Sequence, residues 1–112
     1  MTTQRSLAIG IDIGGTGIKG ALVDVAAGEL VSDRIKVATP AGGEPDAIVA
    51  EVAGLVERFG DSTGAIPVGV CFPAVVLHGR TMSAANVSKR WVGLAAEELF
   101  ERELGRDIQF VN

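Results

Sequence analysis

The residues best suited to chemistry are Gly15-Thr16-Gly17-Ile18-Lys19-Gly20, which match GxGxxG, and the acid just ahead of them, Asp12. A dinucleotide loop needs that pattern to open a helix whose N-terminus holds a pyrophosphate, with an acid about 20 residues on. Here the glycines lead into an alternating apolar run, so that use is disfavoured. A Walker loop needs Gly-Lys-Ser/Thr, and Lys19 is followed by Gly20. A phosphate-cradling β-turn-β fits better. Gly14, Gly15 and Gly17 lack Cβ, so their N–H groups are expected to converge on an anion in conformations closed to other residues. Thr16 adds a hydroxyl donor and Lys19 a charge. Asp12 lies inside an apolar run, where burying a carboxylate without a role is costly. It suits Mg²⁺ held through water. The same residues also fit a tight glycine hairpin that binds nothing.

Short strands must position this turn. Leu7 to Ile13 reads as a central strand, Ile18 to Val25 as a second and Leu30 to Val37 as a third. The last two are joined as a hairpin by Ala26-Ala27-Gly28-Glu29. Pro40 and Gly42-Gly43 form a loop. Pro45 then suits the first turn of a helix, with Glu44 and Asp46 at its positive end. Ile48, Val52, Leu55, Val56 and Phe59 make its apolar stripe, and Gly60 its stop. Ile66 to Phe72 is a strand held between Pro67 and Pro73, and Val75 to Met82 a small second hairpin around His78-Gly79-Arg80. Leu94 to Leu104 is the second helix, with Ala96, Phe100 and Leu104 on one face. Gly105 ends it, and Ile108 to Val111 starts a last strand. Setting the small hairpin aside, the order is β-β-β-α-β-α-β, an α/β domain.

Composition agrees. The 112 residues are 47% hydrophobic and 4% aromatic with 15 glycines, which suits an aliphatic core and argues against disorder. A net charge of −4 with no basic stretch argues against non-specific nucleic-acid binding. No apolar run approaches the roughly 18 residues that span a bilayer, and the N-terminus lacks a signal-peptide core. One cysteine excludes an internal disulfide and fits a reducing cytosol, so a cytoplasmic location is expected.

Outside the turn, Asn86 and Lys89 share a polar loop, Ser83 to Gly93. They suit a binding loop, Asn86 bonding hydroxyls and Lys89 neutralising developing charge, or simply the solvated face of a loop that also carries Arg90. Trp91 is expected to anchor that loop by packing, and His78 to sit exposed in a turn. Cys71, inside an apolar run, should be a small buried hydrophobe. Glu97, Glu98, Glu101 and Glu103 read as the wet face of a helix.

Ile11 to Gly20 resembles the first phosphate motif of sugar kinases with the actin-like ATPase fold, and is most similar to the ROK group, within it the bacterial polyphosphate glucokinases. Gly69-Val70-Cys71-Phe72-Pro73-Ala74 resembles that group's GVTFPG, and Ala84 to Gly93 its AANVxKxWxG. Leu104-Gly105-Arg106 through Val111-Asn112 resembles the approach to its Asn-Asp-Ala-Asp motif. The likeness runs from about Leu7 to Asn112.

The resemblance implies a ribonuclease H-like domain with a mixed five-stranded sheet, spanning 1–112 as the N-terminal lobe of a two-lobe kinase. The C-terminal lobe would lie outside this chain. The expected reaction moves a phosphoryl group from inorganic polyphosphate, ATP or both to the 6-hydroxyl of glucose, with Mg²⁺. By resemblance Gly14, Gly15, Thr16, Gly17 and Lys19 hold phosphate, Asp12 the metal, and Asn86, Lys89 and Asn112 the sugar. The catalytic Asp would follow Asn112, so no catalytic base is expected in the chain and the fragment alone should be inactive. A homodimer through the second lobe is implied for the parent, and self-association for the isolated domain. Ala74 departs from the group's Gly: its methyl either crowds the sugar or sits in a loop of negative φ. A ROK-type sugar-binding regulator and a non-catalytic actin-like scaffold stand as alternatives. With six residues ahead of Leu7, the helix-turn-helix of the former is not expected at this end, and the segment Asn86 to Trp91 counts against the latter.

Overall fold

Branched residues at alternate positions of Leu7–Ile13 make β1, with Ile9, Ile11 and Ile13 buried on one side. The computed structural model describes residues 6–60 and 65–112, and β1 lies at the centre of its main sheet. β2 (Gly17–Asp24) runs antiparallel to β1, placing Lys19 opposite Asp12 and Ile18 opposite Ile13. β3 (Glu29–Leu30) and β4 (Ile35–Ala38) both pair with β2. After helix α1 (Pro45–Glu57) comes β5 (Val68–Cys71), parallel to β1. A two-stranded ribbon, β6 (Val76–Leu77) and β7 (Arg80–Thr81), stands apart from the sheet. Helix α2 (Ala96–Leu104) leads into β8 (Ile108–Val111), parallel to β5. The order across the sheet is β3-β2-β1-β5-β8, with β4 beside β2.

The mixed pairing follows the expected pattern, but the sheet has six strands rather than the five expected. Leu30 to Val37 is not one strand but β3 and β4. Between them the N–H groups of Val31 and Ser32 both turn to the Leu22 carbonyl, and Ser32 Oγ accepts from Leu22 N at 2.9 Å. These bonds interrupt the ladder where a continuous strand would have kept it. Glu29, expected in the turn, belongs to β3. Helix α2 begins at Ala96 rather than Leu94, because the Leu94 carbonyl accepts from Thr81 N and Ala96 N and Ala95 leaves helical geometry at ψ 71°. Helix α1 starts on Pro45 as expected but stops at Glu57, so Phe59 packs from the following turn.

Both helices cover one side of the sheet. Ile48, Val52 and Leu55 of α1, and Ala96 and Phe100 of α2, close over Ile9, Ile11, Val68, Val70 and Phe110. Gly20 permits this closeness, since a Cβ there would meet Ile11, Leu55 and Phe59 at 3.1 to 3.4 Å. Phe72, Trp91, Phe100 and Phe110 form one aromatic cluster, with centroids of Phe72 and Trp91 4.4 Å apart. The other side of the sheet is an open groove of about 480 Å³ lined by small residues, Gly10, Ala21 and Gly69, among Asp12, Lys19, Cys71 and Val111.

The small ribbon turns at His78 and Gly79, with φ of 52° and 76°. Both positive values belong to a type I′ turn, which favours Asn-Gly. Exchanging His78 for Asn is expected to raise stability by about 0.5 kcal/mol, measured as a higher urea midpoint at unchanged slope.

Candidate phosphate and sugar site

The parallel strands β1, β5 and β8 deliver Asp12, Cys71 and Val111 to one level, since Asp12 pairs with Cys71 and Cys71 with Val111. Beyond this level lie the glycine turn, the Phe72-Pro73-Ala74 segment and Asn112. Clefts outside the carboxyl ends of parallel strands are where α/β folds bind ligands.

The turn differs in detail from the expected cradle. Gly14, Gly15 and Gly17 do not use positive φ. Gly14 spends its N–H on Gly17 O at 2.9 Å, and Thr39 secures the turn by donating Oγ1 to Gly14 O at 2.7 Å and its N–H to Thr16 O at 3.2 Å. The free donors are the N–H groups of Gly15 and Thr16 and the Thr16 hydroxyl, which meet no acceptor among the described residues. The glycines are needed for close approach instead. A Cβ on Gly14 would stand 3.0 Å from Gly17 O, and one on Gly15 2.5 Å from Asn86 Cβ. One on Gly17 would meet Lys36 Cε at 2.8 Å.

Asn86 is therefore pressed against the turn by the backbone itself. Its loop is tied at two points. The Gly43 carbonyl accepts from Trp91 Nε1 at 2.8 Å and from Ser88 N at 3.2 Å. Thr81, fully buried, donates its hydroxyl to the Trp91 carbonyl, and its own carbonyl accepts from Gly93 N. Gly43 has φ 58°, and a Cβ there would lie 2.9 Å from Val87 Cα, so no other residue fits this seat. Trp91 is the anchor expected, in a 3₁₀ turn, Lys89–Trp91, capped by Ser88 Oγ accepting from Arg90 N.

Asp12 is exposed on the open side of the sheet, so the expected cost of burying its carboxylate does not arise. Strand alternation turns it away from the isoleucines that flank it. Neither Asp12 nor Lys19 has an ion-pair partner among the described residues, although they face each other across β1 and β2. The one ion pair seen there joins Arg90 to Glu44, both solvent-exposed. Cys71 is likewise half-exposed on the open side rather than in the core, for the same parity reason. Glu101 is not simply wet, since its Oε2 accepts from Ile108 N at 3.0 Å and fastens α2 to β8. His78 is exposed, as expected.

Lys89 heads the 3₁₀ turn, exposed, and Asn112 donates Nδ2 to the Ala74 carbonyl. No hydrogen bond or ion pair joins either to the glycine turn among the described residues. Ala74 is buried in the core and does not use positive φ, so its methyl is accommodated. Sequence reasoning missed Thr39, Gly43 and Lys36, which lie far along the chain from the residues they support. Only the parity of Lys19 and Lys36 on paired strands would have hinted at the last.

For Mg²⁺ the donor set is sparse. No group of three or more His, Cys, Asp or Glu able to hold a metal occurs among the described residues. One free carboxylate beside the glycine turn is still compatible with an ion that keeps most of its waters. No described helix is long and apolar enough to cross a membrane.

Residues 8–112 match the sequence model of the ROK family. The chain is 46% identical over 104 residues to a polyphosphate glucokinase of Mycobacterium tuberculosis, covering 93% of this chain and 38% of that protein. It therefore spans well under half the length of that relative. The crystal structure of an inorganic polyphosphate/ATP-glucomannokinase from Arthrobacter sp. strain KM superposes with a TM-score of 0.89 at 40% identity, over 95% of this chain and 44% of that one. A ROK family glucokinase from Streptomyces griseus, in complex with glucose and AMPPNP, superposes with a TM-score of 0.78 at 28% identity, over 95% and 33%.

Proposed function

Because this chain belongs to the ROK family, we propose that it is the N-terminal lobe of a glucokinase that moves a phosphoryl group from inorganic polyphosphate, ATP or both to the 6-hydroxyl of glucose. The observation that carries this reading is the contact of Gly15 with Asn86, which unites a turn of free N–H donors with the polar loop. In this reading Gly15, Thr16 and Gly17 hold the transferred phosphate and Lys19 adds charge beside it. Gly14 serves by closing the turn rather than by donating. Asn86, Lys89 and Asn112 face the sugar, with the Asn112 amide oriented by the Ala74 carbonyl. Asp12 would hold Mg²⁺ through water, and the ion would supply charge neutralisation on the phosphates. Phosphoryl transfer rests on positioning and electrostatic stabilisation, and one wall of a cleft supplies only part of either. The parent is proposed to work in the cytoplasm as a homodimer through its second lobe, and the isolated domain to self-associate through its open face.

The test is glucose-6-phosphate production in a coupled assay. The gene read past Asn112 is expected to continue with an Asp codon, and its product to phosphorylate glucose with polyphosphate. The 112-residue chain alone should give no turnover. A stop codon after Asn112, or turnover by the chain alone, overturns the reading.

A further inference from the structure

Lys36 stands directly opposite Lys19 on the antiparallel strands β4 and β2. Directly opposed residues project to the same side of a sheet, and two like charges placed so repel. Neither ammonium has an ion-pair partner among the described residues. The Lys36 stem lies across Gly17, where a Cβ would meet its Cε at 2.8 Å and its Nζ at 3.7 Å. Its charge is thus held beside the turn that carries the free N–H groups of Gly15 and Thr16. Arg34, two residues before Lys36, lines the same open groove as Lys19. In an acidic chain, three cations gather on this side, and Asp12 is the one carboxylate in the row that runs Lys36, Lys19, Asp12.

We propose that Lys19 and Lys36 form an anion subsite for the next phosphate of a linear phosphate chain whose end lies on the glycine turn. The proposal rests on the kinase reading and deepens it by naming the part of the donor this lobe grips. An anion between the two ammoniums turns their repulsion into paired charge-assisted contacts. A phosphate chain suits the place better than a nucleoside. All five aromatic side chains, Phe59, Phe72, Trp91, Phe100 and Phe110, lie in or against the core on the helix side, leaving no platform for a base beside these lysines.

The experiment titrates the 112-residue chain with long-chain polyphosphate, tripolyphosphate and orthophosphate by calorimetry, for the parent sequence and for Lys36→Gln and Lys36→Arg. Lys36→Gln should weaken both polyphosphates roughly tenfold, the loss of one charge-assisted contact, and orthophosphate, which has no second phosphate, less than about twofold. Lys36→Arg should restore most of the binding. Thermal stability of the free Lys36→Gln chain should be equal or higher, since a repulsion is removed, which a merely structural lysine would not produce. Equal losses for orthophosphate and polyphosphate, or no loss, overturn the subsite. Glucose phosphorylation by the parent enzyme is scored separately. Its failure beside a tenfold binding loss removes the kinase reading and leaves the anion subsite standing.

Discussion

Trp91→Ala is expected to cost about 3–5 kcal/mol of folding free energy. The side chain is fully buried, its ring 4.4 Å from that of Phe72 and 6.1 Å from that of Phe100, with Phe110 completing the cluster. Removing it opens a cavity between sheet and α2 that stiff neighbours cannot fill. It also removes the N–H that the Gly43 carbonyl accepts at 2.8 Å. Domains of this size hold roughly 5–15 kcal/mol in all, so the variant loses a large share of its stability. Urea unfolding followed by far-ultraviolet circular dichroism reads the effect. Trp91→Phe serves as the milder companion, keeping an aromatic ring and costing about 1–3 kcal/mol, because Ser88 N still reaches the Gly43 carbonyl. A loss below 1 kcal/mol in Trp91→Ala would show that the cluster is not the anchor it is taken to be.

Gly15→Ala comes second, and its larger effect is on function. The new Cβ would stand 2.5 Å from Asn86 Cβ and 3.1 Å from the Asn86 carbonyl oxygen, both too close. The turn and the polar loop must part. Overpacking of this kind costs about 1–3 kcal/mol, and a shift near 1 Å between groups that must align costs on the order of 100-fold in rate. Under the proposed function, glucose phosphorylation by the parent enzyme should fall by that order while the fold persists. The partner variant Asn86→Gly removes the nearer clash. In a double-mutant cycle Gly15→Ala should therefore cost less in the Asn86→Gly background, with a coupling energy above about 0.5 kcal/mol. Strict additivity would mean that the two segments do not touch in solution.

Much of the fold was legible because its signals are local. The short, branched run from Leu7 to Ile13 and the spacing of Ile48, Val52, Leu55 and Val56 each name an element without reference to the rest of the chain. Pro45 and Gly105 mark ends for equally local reasons, a fixed φ and a left-handed cap at φ 69°. The break between β3 and β4 was not legible. It depends on Leu22, about ten residues upstream, bonding with Val31 and Ser32 in place of a regular ladder. The candidate site divides in the same way. Residue types and spacing marked the glycine turn, Asp12, Asn86 and Trp91. Why the glycines are needed was misread, because their neighbours, Asn86 at Gly15 and Lys36 at Gly17, are set by packing.

By itself the sequence determined the elements, the aliphatic core, the place of the glycine turn and the family to which the chain belongs. Each follows from residue identity and short spacing, which hold whatever the rest of the molecule does. Only the tertiary structure decided which side each side chain takes. It put Asp12 and Cys71 on the open side, freed Gly15 and Thr16 N–H while closing Gly14, and set Lys36 against Lys19. Those outcomes turn on strand register, where a slip of one residue exchanges the two faces of a sheet. Register is fixed by the summed burial of Ile9, Ile11, Ile13, Val68 and Val70 against the helices, a sum that no local stretch of sequence contains.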